Sequence, residues 1–144
     1  MFMNELVQNL AWKYIFNPPS RPTPEQYPVK SKRDTMLRSI TGDEIHIRLI
    51  CPYDSTSTFE DHTHTQQVVL FCHGNSDDVT SCHSYAQWLA DTLECNVIIY
   101  DPPGYGFSSG VSNTSEENMF HAVFTTLNLI SENLKYDISQ VVVI

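Results

Sequence analysis

Ile45, Ile47 and Leu49 alternate with His46 and Arg48 across Glu44 to Ile50. A period of two is that of a half-buried strand, with one face apolar and the other polar. Thr35 to Ile40 lies just before it, across Thr41-Gly42-Asp43, so the two segments are predicted to form a β-hairpin with Gly42 in the turn. The pattern then changes. Val68-Val69-Leu70-Phe71-Cys72, Asn96 to Tyr100 and Val141 to Ile144 are short, continuous apolar runs, the mark of strands covered on both faces. Val79 to Leu93 reads as a helix, with Asp78 or Thr80 as N-cap and Tyr85, Trp88, Leu89 and Leu93 along one face. Thr114-Ser115-Glu116-Glu117 has capping-box spacing and opens a second helix to about Leu134. Strands that alternate with helices imply an α/β fold with a mostly parallel sheet, entered here through an antiparallel hairpin.

The remaining segments connect or precede these elements. Met3, Leu6, Val7, Leu10 and Tyr14 recur at helical spacing and predict an amphipathic helix that docks on its own domain. This stretch has no charged leader or small-residue cleavage site, so it does not read as a signal peptide. Asn17 to Pro28 holds five of the eight prolines and is an extended connector. Residues 1–28 therefore form an N-terminal helix and connector, and residues 29–144 the α/β domain. Residues 52–66, rich in Ser, Thr and His, read as a surface loop.

Composition narrows the function. A hydrophobic share of 41 % supports a packed core rather than disorder. The first 38 residues carry six of the eight cations against three acids, and the rest carries two cations against fourteen acids. So acidic a body argues against nucleic acid as a partner, while the basic N-terminal segment allows peripheral contact with an anionic membrane. No apolar run approaches the roughly 18 residues of a spanning helix. Cys51, Cys72, Cys82 and Cys95 lack CxxC spacing and read as free thiols of a reducing, cytoplasmic setting.

Ligands of open parallel sheets bind beyond the carboxyl ends of the strands. Two loops occupy that position. In His73-Gly74-Asn75-Ser76-Asp77-Asp78, Gly74 permits a tight turn that would aim the amides of Asn75 and Ser76 at a shared anion, as an oxyanion hole requires. An ordinary strand-to-helix turn capped by Asp and Ser explains the same residues. The second loop runs from Asp101 through Gly104, Tyr105 and Gly106 to Gly110, and its glycines allow close backbone approach. Its spacing misses the dinucleotide fingerprint. Gly106-Phe107-Ser108-Ser109-Gly110 matches G-x-S-x-G, but prolines precede it and no helix follows it directly, so it does not read as a nucleophile elbow. His62, His64, His73, His83, Cys72 and Cys82 lack metal-ligand spacing, and no metal site is expected.

Phe71-Cys72-His73-Gly74-Asn75 with Asp78, then Tyr100-Asp101, Gly104-Tyr105-Gly106, Ser108-Ser109-Gly110 and Ser115-Glu116, resemble the α/β-hydrolase superfamily. The likeness is greatest to the acyl-protein thioesterases that remove palmitate from membrane-associated proteins. It implies a serine hydrolase acting on ester or thioester bonds of an acyl-protein or small ester, without a cofactor. It places the oxyanion donors at Asn75 and Ser76, and puts His73, Gly74, Asp78, Asp101, Gly104, Tyr105 and Gly106 in the active-site loops. The family's elbow follows its fifth strand, so this chain is expected to hold the N-terminal, incomplete part of the fold, with nucleophile, acid and histidine after Ile144. The chain alone is then expected to be inactive. A non-catalytic degenerate copy or interaction module is the alternative. That branch's lipidated cysteine cluster has no counterpart before Cys51.

Overall fold

The computed structural model describes residues 16–20, 32–54, 56–110 and 114–144. The expected N-terminal helix and most of the proline connector lie outside these residues. Five strands, β1 (Asp34–Arg38), β2 (Glu44–Ile50), β3 (Val68–Phe71), β4 (Asn96–Asp101) and β5 (Val141–Val143), form one sheet in the order β1-β2-β4-β3-β5. The β1–β2 and β2–β4 pairs are antiparallel, and β3 pairs in parallel with both β4 and β5. Helix α1 (His83–Leu93) joins β3 to β4, and helix α2 (Glu116–Asn128) lies between β4 and β5.

The hairpin forms where the sequence places it. Gly42 has φ +89°, and Ser39 N–H donates to the Asp43 carbonyl at 2.8 Å. This turn sets a register that pairs Arg38 with Glu44 and Asp34 with Arg48. Strand β1 ends at Arg38 rather than Ile40, because Ser39 and Ile40 enter the turn and Ile40 is left exposed.

Alternation along β2 assigns its residues to two faces, and both are covered. Ile45, Ile47 and Leu49 pack with Val68, Leu70, Ile98, Ala122 and Ile130 beneath α2. Ile50 packs with Val69, Val97, Ile99, Ala86 and Ala90 beneath α1. Each fully buried aliphatic side chain contributes about 1.5–3 kcal/mol. The polar face read for His46 and Arg48 is therefore not solvent-facing: His46 is fully buried and Arg48 nearly so.

Both helices depart from the pattern-based reading. Residues 79–82 form turns, and α1 begins at His83 with neither Asp78 nor Thr80 as its N-cap. Asp78 closes the preceding turn instead, its carboxylate accepting from Ser81 N–H at 2.7 Å. Ala86, Leu89 and Ala90 face the sheet, while Tyr85, Trp88 and Leu93 are exposed. The small alanines allow close helix approach, and the aromatics pack against each other, Tyr85 on Trp88 at 5.6 Å and on Phe71 at 5.5 Å. The N-cap of α2 is Ser115, which accepts from Asn118 N–H, and Thr114 turns away to donate to the Pro103 carbonyl. The helix ends in a π-helical turn, Leu129–Asn133, whose extra residue brings Leu129, Ile130 and Leu134 onto the core.

Candidate active site

A cavity of about 410 Å³ lies at the carboxyl ends of β3 and β4. That volume is within the range of pockets for small molecules. Cys72, His73, Gly74 and Asn75 enter it from the loop after β3. Tyr100, Pro102 and Tyr105 enter from the end of β4 and the loop beyond, Met119 from α2 and Phe16 from the N-terminal segment. Four of the residues singled out in the sequence thus share one cavity: His73, Gly74, Asn75 and Tyr105.

The loop after β3 makes a tight turn in which Asp77 N–H donates to the Gly74 carbonyl at 3.1 Å, with Asn75 and Ser76 as the central residues. Gly74 is not in a left-handed conformation, and a methyl group there would make one tight contact, 3.0 Å from the Asp77 carboxylate. The Asn75 carboxamide oxygen accepts from the Tyr105 hydroxyl at 2.5 Å and from Asn17 N–H at 3.1 Å. Three segments far apart in sequence meet at that one atom. Ser76 is exposed at the tip of the turn and is not among the cavity walls.

Behind the cavity lies a polar cluster that pattern reading missed. Arg48 Nε donates to Asp34 Oδ1 at 2.7 Å. His46 Nε2 is 2.9 Å from the same oxygen, and His46 Nδ1 is 2.9 Å from Asp101 Oδ2. A neutral imidazole has one N–H, whereas this ring faces a carboxylate through each nitrogen, so the arrangement fits the imidazolium. Burial disfavours the charged ring, but Asp101 and Asp34 outweigh it and raise the His46 pKa above its ordinary 6.5. Burial likewise works against both carboxylates. Hydrogen bonds from His46, joined at Asp101 by the nearby His73 ring and at Asp34 by hydrogen bonds from Arg48, outweigh it and hold both below the ordinary 3.8. Two carboxylates, one guanidinium and one imidazolium leave the cluster neutral in sum, which is how charges are accommodated in a core.

Asp101 connects this cluster to the loops. Its Oδ1 accepts from Val79 N–H at 2.8 Å, beyond the turn after β3, and its Oδ2 accepts from Phe107 N–H at 3.3 Å. His73 Nε2 lies 3.4 Å from Oδ1, in ion-pair range but without hydrogen-bond geometry, and His73 Nδ1 faces the Gly74 carbonyl at 3.0 Å. Burial lowers the His73 pKa, but Asp101 and the Gly74 carbonyl raise it on balance. Gly106 is what lets Phe107 reach the carboxylate: it has φ +43°, and a methyl group there would overlap Asp101. Gly104 begins the same loop, donating its N–H to the Ser109 carbonyl at 2.9 Å.

Ser108, the serine of the G-x-S-x-G match, is fully buried. Its hydroxyl donates to the Asp101 carbonyl and accepts from His46 N–H at 2.8 Å. Ser109 does the same for the start of β2, accepting from Glu44 N–H at 2.8 Å. The two hydroxyls replace strand partners where β4 ends, so this match is a structural clasp. Among the described residues no group of three or more His, Cys, Asp or Glu could hold a metal ion, and no helix is long and apolar enough to cross a membrane.

No protein-family model matches the chain. Over 77 residues it is 35 % identical to alpha/beta hydrolase domain-containing protein 17C of Xenopus tropicalis, covering 49 % of this chain and 24 % of that protein. It is 37 % identical over 62 residues to alpha/beta hydrolase domain-containing protein aho-3 of Caenorhabditis elegans, covering 43 % of this chain and 18 % of that protein. The chain thus spans about a quarter or less of the length of these curated relatives. Among solved structures, a Pyrococcus furiosus esterase matches with a TM-score of 0.62 at 15 % identity, over 89 % of this chain and 46 % of that one. An alpha-beta serine hydrolase homologue from Coxiella burnetii matches with a TM-score of 0.52 at 13 % identity, over 81 % of this chain and 51 % of that one. The structural likeness and the sequence similarity agree: the chain has the fold of the α/β hydrolases and is similar in sequence to the alpha/beta hydrolase domain-containing proteins 17.

Proposed function

We propose that the whole protein is a serine hydrolase acting on ester or thioester bonds, with acyl groups on proteins as its substrate class. In this reading the chain supplies the oxyanion loop and the front wall of the acyl site. The observation that carries it is the cavity at the carboxyl ends of β3 and β4, with a tight turn on one side and mostly apolar side chains on the others. Attack on a thioester carbonyl places negative charge on its oxygen. Of the two amides expected from the sequence, that of Asn75, which lines the cavity, is the donor proposed to meet that charge, and a fixed dipole in a site shielded from water does this without reorganising. The apolar walls would take the acyl chain.

Nucleophile, acid and histidine are proposed to follow Ile144. Strand β5 runs parallel to β3, and Cys72 N–H donates to the Ile144 carbonyl at 2.8 Å, so chain continuing from there emerges beside the cavity. Peripheral membrane contact through the basic N-terminal segment belongs to the same proposal.

The test is fluorophosphonate labelling of the full-length protein with the modified residue mapped by mass spectrometry, followed by steady-state kinetics on acyl thioesters. The expected label is one serine after Ile144. Asn75→Pro removes an amide and is expected to lower kcat by about 10²-fold or more with little change in KM. Asn75→Ala keeps the amide but loses the acceptor for Tyr105 and Asn17, so a smaller loss is expected. Labelling of Ser108, no labelling at all, or equal losses in the two variants would overturn the assignment.

A further inference from the structure

The N-terminal segment is held in the site by more than contact. Phe16 is half-buried and forms part of the cavity wall, facing a space also bounded by Tyr100 and Met119. Its neighbour Asn17 donates its backbone N–H to Asn75 Oδ1, the atom that also takes the Tyr105 hydroxyl. Pro18 and Pro19 follow at once, and a prolyl neighbour restricts the residue before it to extended conformations. Asn17 is therefore held on both counts, by the proline that follows it and by its hydrogen bond to the turn proposed to carry the oxyanion donor, and Phe16 is attached directly to it.

A large aromatic ring held at the wall of an apolar cavity limits what the cavity can accept. We infer that Phe16 is the residue that sets acyl-chain length, and that the Asn17–Asn75 hydrogen bond ties this gauge to the oxyanion turn. This rests on the acyl-hydrolase reading for the identity of the ligand and adds to it a specificity-determining residue from outside the α/β domain. The turn and loops that define the site in sequence lie some sixty to ninety positions further along, so the segment contributes through tertiary placement alone.

Opposite substitutions separate a gauge from a merely structural residue, because loss of stability cannot move a preference in two directions. In the full-length protein, Phe16→Ala enlarges the cavity and Phe16→Trp narrows it. The ratio of kcat/KM for hexadecanoyl over octanoyl thioesters is expected to rise about tenfold in the first and fall about tenfold in the second, since a few methylenes in an apolar pocket discriminate on that scale. Titration calorimetry with octanoate and palmitate gives a readout independent of turnover, and the same reversal of preference is expected there. Normal hydrolysis with a length ratio unchanged in both variants would overturn the inference and leave the hydrolase reading standing. A protein that hydrolyses nothing but shows the reversal in binding would do the opposite. Absence of both hydrolysis and binding would overturn the two together.

Discussion

Replacing Asp101 by asparagine should destabilise the protein by several kcal/mol, although the two side chains have nearly the same shape. Three N–H groups converge on the two carboxylate oxygens: those of Val79, Phe107 and the His46 ring. Asparagine offers one oxygen and one NH₂, so at least one donor would face another donor inside the core. An unsatisfied buried donor costs about 1–3 kcal/mol. The imidazolium of His46 would also lose one of its two counter-charges, and removing one partner of a buried ion pair costs about 3–5 kcal/mol. The two effects overlap, so the expected loss is about 3–5 kcal/mol, a large part of the roughly 5–15 kcal/mol that stabilises a typical domain. For a domain of this size that corresponds to a fall in Tm on the order of 10 °C.

The pH dependence checks the cause as well as the size. The His46 pKa is raised on folding, so its contribution is complete below the ordinary 6.5 and is lost as pH rises through the folded value. The pKa values of Asp34 and Asp101 are lowered, so their contributions are complete above the ordinary 3.8 and are lost as pH falls through the folded values. Stability from the cluster should therefore peak between these limits. In Asp101→Asn the alkaline loss should be smaller and should end at lower pH, because His46 keeps only Asp34. Urea unfolding of the full-length protein and the variant over a pH series measures both effects. A difference below about 1 kcal/mol, or an alkaline limb that does not move, would show that Asp101 does not hold the loops as argued.

Gly106→Ala should cost about 2–4 kcal/mol, since it adds left-handed strain to overlap with the Asp101 carboxylate; Gly42→Ala, with nothing within 4 Å of the added methyl, should cost only about 1–2 kcal/mol in the same urea assay. Equal losses at the two glycines would mean that Asp101 is not held against residue 106. Ser108→Ala removes the hydroxyl that links His46 N–H to the Asp101 carbonyl and should lower stability by about 1–3 kcal/mol, while fluorophosphonate labelling of the full-length protein is unchanged. Loss of labelling without loss of stability would identify Ser108 as the nucleophile.

The strands were legible because each run matches a local rule. Alternation marked β2, continuous apolar runs marked β3 to β5, and Gly42 fixed the hairpin turn. The two loops of the site were legible for a related reason, since the ends of parallel strands are where glycine and small polar residues become necessary. What pattern could not show is which face of an element is covered. His46 and Arg48 look like an outer face, yet both are buried, with Phe107 of the loop after β4 packed against His46. The aromatic side of α1 looks like its core side, although Ala86 and Ala90 permit the closer approach to the sheet.

One part of the hidden cluster was nonetheless within reach. A hairpin that turns on Gly42 pairs residues whose numbers sum to 82, which sets Asp34 directly opposite Arg48 with His46 two positions along the same face. An acid, a guanidinium and an imidazole at neighbouring places on one face of a hairpin are mutually satisfying, so that face can be buried. In the antiparallel pair of β2 with its other neighbour, where the numbers sum to 147, His46 lies opposite Asp101. The charge cluster is therefore a consequence of register: a one-residue slip would turn His46 toward the opposite face of the sheet and leave Asp101 without its main partner. Polar residues on β1 and β2 thereby specify the alignment of the hairpin with β4, and through Asp101 they fix the two loops between which the cavity lies.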